Sequence, residues 1–193
     1  MSVVAINSSR GEFFCSSSRE GEEAGAKPFP GFGLRSPSPI AWHEAAHCIV
    51  ARFYGLPVAG VTIISSAHYG GRVWGPQADP DVSPEAQIEA AEHRCAQAVA
   101  HLPRAGEDPA DGAPWLVHAA SRCVELLAGS EGERLASING AAPGLDQTTD
   151  RILAELYAST LCAPAAMPAY LEFARQQARA ILEAYRRSPC GDS

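Results

Sequence analysis

Lysine is almost absent: Lys27 is the sole lysine among the 15 basic residues of this 193-residue chain, and no cluster of arginines replaces it. Counterion release on nucleic acid, and attraction to anionic lipid, need cations gathered on one face. With a net charge of −7, neither is an expected partner. Long apolar runs are missing too. The longest, from Cys48 to Ile64, is broken by Arg52, Gly55, Pro57 and Gly60, whereas a membrane-spanning helix wants about 20 mostly apolar residues. The apolar stretch after Met1 is shorter than the core of a secretory signal and has no basic residues before it. A soluble, cytoplasmic protein is expected. No Cys-x-x-Cys pair occurs, and the six scattered cysteines read as free thiols, since a domain of this size needs no disulfide staples.

What is present describes an ordinary globular chain of one domain, 46% hydrophobic and 19% charged. Residues 1–38 hold eight Ser, five Gly and three Pro and read as a disordered or flexible leader. The folded domain is expected over 39–188, followed by a short tail at 189–193. Ala41–Tyr54 contains no Gly or Pro and reads as a helix, stopped by Gly55 and Pro57. Val58–Ser65 and Arg72–Trp74 read as a hairpin closed through His68-Tyr69-Gly70-Gly71. Ser83-Pro84-Glu85 opens a helix that continues to about His101. Two further helices are expected over Pro114–Leu127 and Ser130–Ser137, then one over Asp146–Leu161. The last spans about Ala169–Arg187 and buries Tyr170, Phe173, Ile181 and Leu182. The fold class is mainly α (α+β), a small sheet lying beside the first helix.

That helix contains His43-Glu44-Ala45-Ala46-His47, a His-Glu-x-x-His pattern. Positions i and i+4 lie one above the other on a helix, so both imidazoles can bind one ion while Glu44 reaches its open side. Zinc held by three protein ligands lowers the pKa of a water from 15.7 toward about 7, and Glu44 is placed to take that water's proton. The apolar neighbours Ala45, Ala46, Ile49 and Val50 strengthen the metal reading, because a buried His-Glu-His group is costly without a partner. Residues 48–60 contain no His, Asp or Glu, so the third ligand comes from further away. His68, His93, His101, His118 and the downstream acids are the candidates.

Ala41–Ala51, followed by Gly55-Leu56-Pro57-Val58 and Val61-Thr62-Ile63-Ile64, resembles the start of the peptidase domain of FtsH, the membrane-bound ATP-dependent zinc protease. Leu126–Leu135 resembles that family's Leu-Gly-Gly-Arg-x-Ala-Glu stretch, and Asn139–Ala154 its Ser-Gly-Ala-x-Asn-Asp helix. The resemblance covers about residues 40–160. It implies a helical metallopeptidase domain in which His43, His47 and an aspartate hold Zn2+. Asp146 is the preferred aspartate, because its alignment also places Leu153-Ala154 and the preceding Gly-Ala-Ala; Asp150, four residues on, is the alternative. Glu133 is implied to be a supporting carboxylate and not a ligand. Ala46 stands where the family has glycine, and no phosphate-binding Gly-x-x-x-x-Gly-Lys-[Ser/Thr] motif or transmembrane segment occurs, so a peptidase-like domain without its ATPase is expected.

The resulting expectation is a zinc metalloendopeptidase with Glu44 as general base, acting on peptides or unfolded protein added as a strand near Val61–Ser65. Its companions are a separate ATPase partner or further copies of the chain. The alternative from another class is a non-catalytic zinc-binding or regulatory protein that keeps the fold.

Overall fold

A computed structural model describes residues 39–64, 70–76, 78–79, 81–104, 106–136 and 148–187, together with the backbone of 3–6 and 13–16. Among these residues the chain is mainly helical. Helices α1 (Pro39–Phe53), α2 (Pro84–Ala100), α3 (Ala113–Ala136), α4 (Thr148–Ser159) and α5 (Met167–Arg187) surround one core. Strands β1 (Val3–Ile6), β2 (Phe13–Ser16), β3 (Gly60–Thr62) and β4 (Arg72–Trp74) form a small antiparallel sheet in the order β2-β1-β3-β4. The expected leader thus contributes two strands; the rest of it, and the tail from 188 onward, lie outside the described residues. No helix among the described residues is long and apolar enough to cross a membrane.

Local chemistry accounts for most boundaries. Proline in the first turn of α1 loses no intrahelical hydrogen bond. The helix stops at Gly55, whose φ of 67° is open to glycine, with Leu56 N–H donating to Ala51 O at 2.8 Å and Gly55 N–H to Arg52 O at 3.1 Å. That pair of bonds is the Schellman arrangement. Ser83 caps α2 by accepting from Ala86 N–H. In α5, Pro168 falls in the first turn and so does not delay the helix, which begins at Met167. Ile181 and Leu182 are buried there as expected, Tyr170 is half-buried, but Phe173 is exposed.

The largest departure is α3, which runs unbroken through Gly129-Ser130 where two helices were expected. Glycine inside a helix costs about 1 kcal/mol relative to alanine, and close packing offsets it here. A Cβ on Gly132 would stand 2.6 Å from Ala46 Cβ and 2.7 Å from Trp42 O; one on Gly129 would stand 2.4 Å from both Cε1 and Nε2 of His43. These two glycines let α1 lie directly against α3. Helix α3 is central, packing against α1, α4 and α5, while α2 packs on α4. Val50, Cys123, Val124, Leu153, Tyr157, Ala174 and Ala178 fill the space between them.

The hairpin β3–β4 pairs Gly60 with Trp74 and Thr62 with Arg72. Its side against α1 brings Gly71 to Glu44 and Ile40. β3 is flanked on both sides, by β4 and, at Val4–Val61, by β1. The expectation of strand addition near Val61–Ser65 is therefore corrected: that strand is internal to the sheet, and residues 65–69 of the segment and turn lie outside the described residues. β4 pairs with β3 and with no second strand among the described residues.

Candidate metal centre

His43 and His47 stand one turn apart on the buried face of α1, their ring centroids 4.8 Å apart and their planes inclined by 68°. Both Nε2 atoms point to one place: they are 3.1 Å apart, and Asp150 Oδ2 on α4 lies 3.2 Å from that of His43 and 3.4 Å from that of His47. Asp146, the preferred third ligand on the sequence resemblance, lies outside the described residues; the aspartate that the fold brings to the imidazoles is Asp150. Of the other histidines, His93 and His101 are exposed and bonded to Gln97 on α2, and His118 stands among Trp115 and Tyr157. His68 is outside the described residues. None of the three described joins the group.

The partners of the far nitrogens select one tautomer for each neutral ring. His43 Nδ1 is 2.7 Å from Glu133 Oε1, and His47 Nδ1 is 2.8 Å from Glu125 O. Both partners only accept, so both Nδ1 atoms donate, and a neutral imidazole then has a bare lone pair at Nε2. With both imidazoles neutral, two such lone pairs and a carboxylate oxygen converge on one point. A tetrahedral ion with Zn–N and Zn–O bonds of about 2.0–2.1 Å separates its ligand atoms by about 3.3 Å, close to the three distances observed. The donor set therefore fits zinc.

Electrostatics favour a cation at the same place. His43, Glu44, His47, Glu125 and Glu133 are each under a tenth exposed. Of the carboxylates around the imidazoles, Glu125 alone has a guanidinium partner among the described residues, Arg122 at 2.7 Å; Glu133 and Asp150 meet imidazoles, and neither Glu133 Oε2 nor Glu125 Oε2 has a hydrogen-bond partner of good geometry. Burial raises the Asp150 carboxyl, but the two imidazoles, which donate to it from Nε2 when protonated, outweigh that and hold the group well below the usual carboxylate range. For His47 burial opposes the charge, yet Asp150 and Glu125 outweigh it and raise the imidazole well above its ordinary value. The group is thus a strong acceptor of positive charge, and a metal ion and a proton compete for it.

Glu44 lies beside the ligand set. Burial pushes its carboxyl up to about 7; the two imidazoles oppose this and the neighbouring carboxylates add to it. A carboxylate poised near neutrality suits a general base. Gly71 makes room for it, since a Cβ there would stand 2.7 Å from Glu44 Oε1. The group opens into a cleft of about 630 Å³ lined by β4, Pro57, Arg122 and Glu125 among others.

Glu125 and Arg122 are site residues the sequence reading missed. A signal for Glu125 was present: Glu125, Gly129 and Glu133 recur every four residues on one face of α3. The glycine admits the imidazole rings, and the residues on either side hold their Nδ1 atoms. Set against known protein families, curated proteins and solved structures, the chain matches none of them.

Proposed function

We propose that this protein is a zinc-dependent metallopeptidase of FtsH-like type, in which His43, His47 and Asp150 hold the ion and Glu44 is the general base. One observation carries the reading: three potential ligand atoms, His43 Nε2, His47 Nε2 and Asp150 Oδ2, converge at 3.1–3.4 Å. Asp150, the alternative aspartate of the sequence resemblance, is the one proposed here as third ligand.

When bound, zinc supplies a water of lowered pKa and polarises the scissile carbonyl. The chain's own residues do the rest. Glu133 and the Glu125 carbonyl fix both imidazoles with Nε2 free to ligate. Glu44 takes the proton from the attacking water and passes it to the departing amine. Residues 71–74, beginning with Gly71 beside Glu44, line the cleft, and β4, the last strand in the sheet order, receives an extended peptide through main-chain hydrogen bonds. A cleft of this form takes a peptide or an unfolded segment.

Two alanine variants test the assignment. Asp150→Ala is expected to lose bound zinc and cleavage of a casein, whereas Asp146→Ala keeps both, read by metal analysis and by release of soluble peptides. Loss of zinc from Asp146→Ala with zinc retained in Asp150→Ala would overturn it.

A further inference from the structure

Arg122 has no place in the peptidase reading, yet it stands where three parts of the centre meet. Its Nη1 lies 2.7 Å from Glu125 Oε2, an i, i+3 pair on α3. The other oxygen of that carboxylate, Oε1, lies 3.4 Å from His47 Nδ1, beside the main-chain carbonyl of the same residue that accepts from it. The guanidinium also stands within interaction range of the Tyr157 side chain of α4. Tyr157 is 2% exposed and seven residues after Asp150, two turns along the same face of α4. One guanidinium thus touches the carboxylate behind one ligand and the helix that carries another.

The energetics require such a group. Glu125 is 5% exposed, and a carboxylate so placed keeps its charge only if a cation and hydrogen bonds replace its water. An ionised carboxylate behind an imidazole N–H makes the opposite nitrogen a better ligand and fixes the ring's orientation. The forked guanidinium can hold two partners at set angles, which an ammonium cannot. The contact with Tyr157 is one of those by which α4, and with it Asp150, packs against α3.

We infer that Arg122 is a positioning residue of the metal centre, which aligns His47 through Glu125 and Asp150 through Tyr157. The inference rests on the metal-site reading above. It assigns Arg122 no contact with substrate, although it lines the cleft.

The test is metal affinity in the full chain, measured by competition with a chromophoric chelator, together with the visible spectrum of the cobalt-substituted protein, which reports ligand geometry. Arg122→Met is expected to weaken zinc binding about ten- to hundred-fold, the usual effect of removing a group that orients a ligand, and to shift the cobalt bands. Tyr157→Phe removes only a hydroxyl, and is expected to shift the bands in a protein that folds normally. Arg122→Met in a Glu125→Gln background is expected to add less than it does alone, because the two act as a unit. Wild-type affinity and spectrum in both Arg122→Met and Tyr157→Phe would overturn the inference, and so would full additivity with Glu125→Gln. Absence of zinc binding by the wild type would instead remove the reading on which it rests.

Discussion

Replacing Glu44 with glutamine is expected to leave zinc in place and to lower peptide hydrolysis by about 10²–10⁴-fold, the usual contribution of a general base. The amide has nearly the shape of the carboxylate, so it can occupy the space beside Gly71, but it cannot accept a proton. The fold should tolerate the change well. Glu44 is 5% exposed, and burial pushes its carboxyl up to about 7 against the opposing pull of the two imidazoles; a neutral side chain avoids the cost of burying that charge. The variant is therefore expected to unfold at the same or a higher temperature while cleaving almost nothing. Zinc content, casein hydrolysis and thermal unfolding on the same preparation check it. Retained hydrolysis would remove Glu44 from the mechanism, and a zinc-loaded wild type that cleaves no peptide would favour a binding or regulatory role.

The second large effect is expected at Gly129, where helix propensity and packing predict opposite signs. Alanine is favoured over glycine in a helix interior by about 1 kcal/mol, so propensity alone makes Gly129→Ala stabilising. The new methyl would stand 2.4 Å from His43 Nε2 and 2.6 Å from His47 Nε2, and neither ring can swing away while its Nδ1 is bonded to α3. Overpacking of this kind costs about 1–3 kcal/mol. Packing wins, and the methyl occupies the place where the ligand atoms meet. Gly129→Ala is expected to abolish zinc binding and lower the unfolding temperature. By contrast, alanine at Gly106, whose would-be Cβ meets nothing but whose φ is 96°, should leave zinc binding untouched. Zinc titration of the two variants side by side distinguishes them; full binding by Gly129→Ala would contradict the packing described.

The pattern of this glycine explains what could be read in advance. His43, Glu44 and His47 were legible because their relation is local: a spacing of four on one helix fixes which side chains share a face. Helices α1, α2 and α5 and the β3–β4 hairpin were legible for the same reason, through capping residues, proline positions and glycine stops. Gly129 was misread as a break because, taken locally, glycine weakens a helix; its use lies in α1, more than eighty positions earlier. The third ligand was harder still. Asp146 and Asp150 are four positions apart in the sequence; the packing of α4 against α3 brings Asp150 to the imidazoles, and Asp146 lies outside the described residues. Glu125 reads as a charge inside an apolar run, Val124-Glu125-Leu126-Leu127, and its meaning depends on His47 and Arg122 being beside it.

The peptidase reading, the role of Glu44 and the function of Arg122 all presuppose that the converging lone pairs hold a metal. Metal analysis of purified wild-type protein beside His47→Ala tests this most directly. One zinc per chain in the wild type and none in the variant is the predicted result; the same metal content in both would contradict the account.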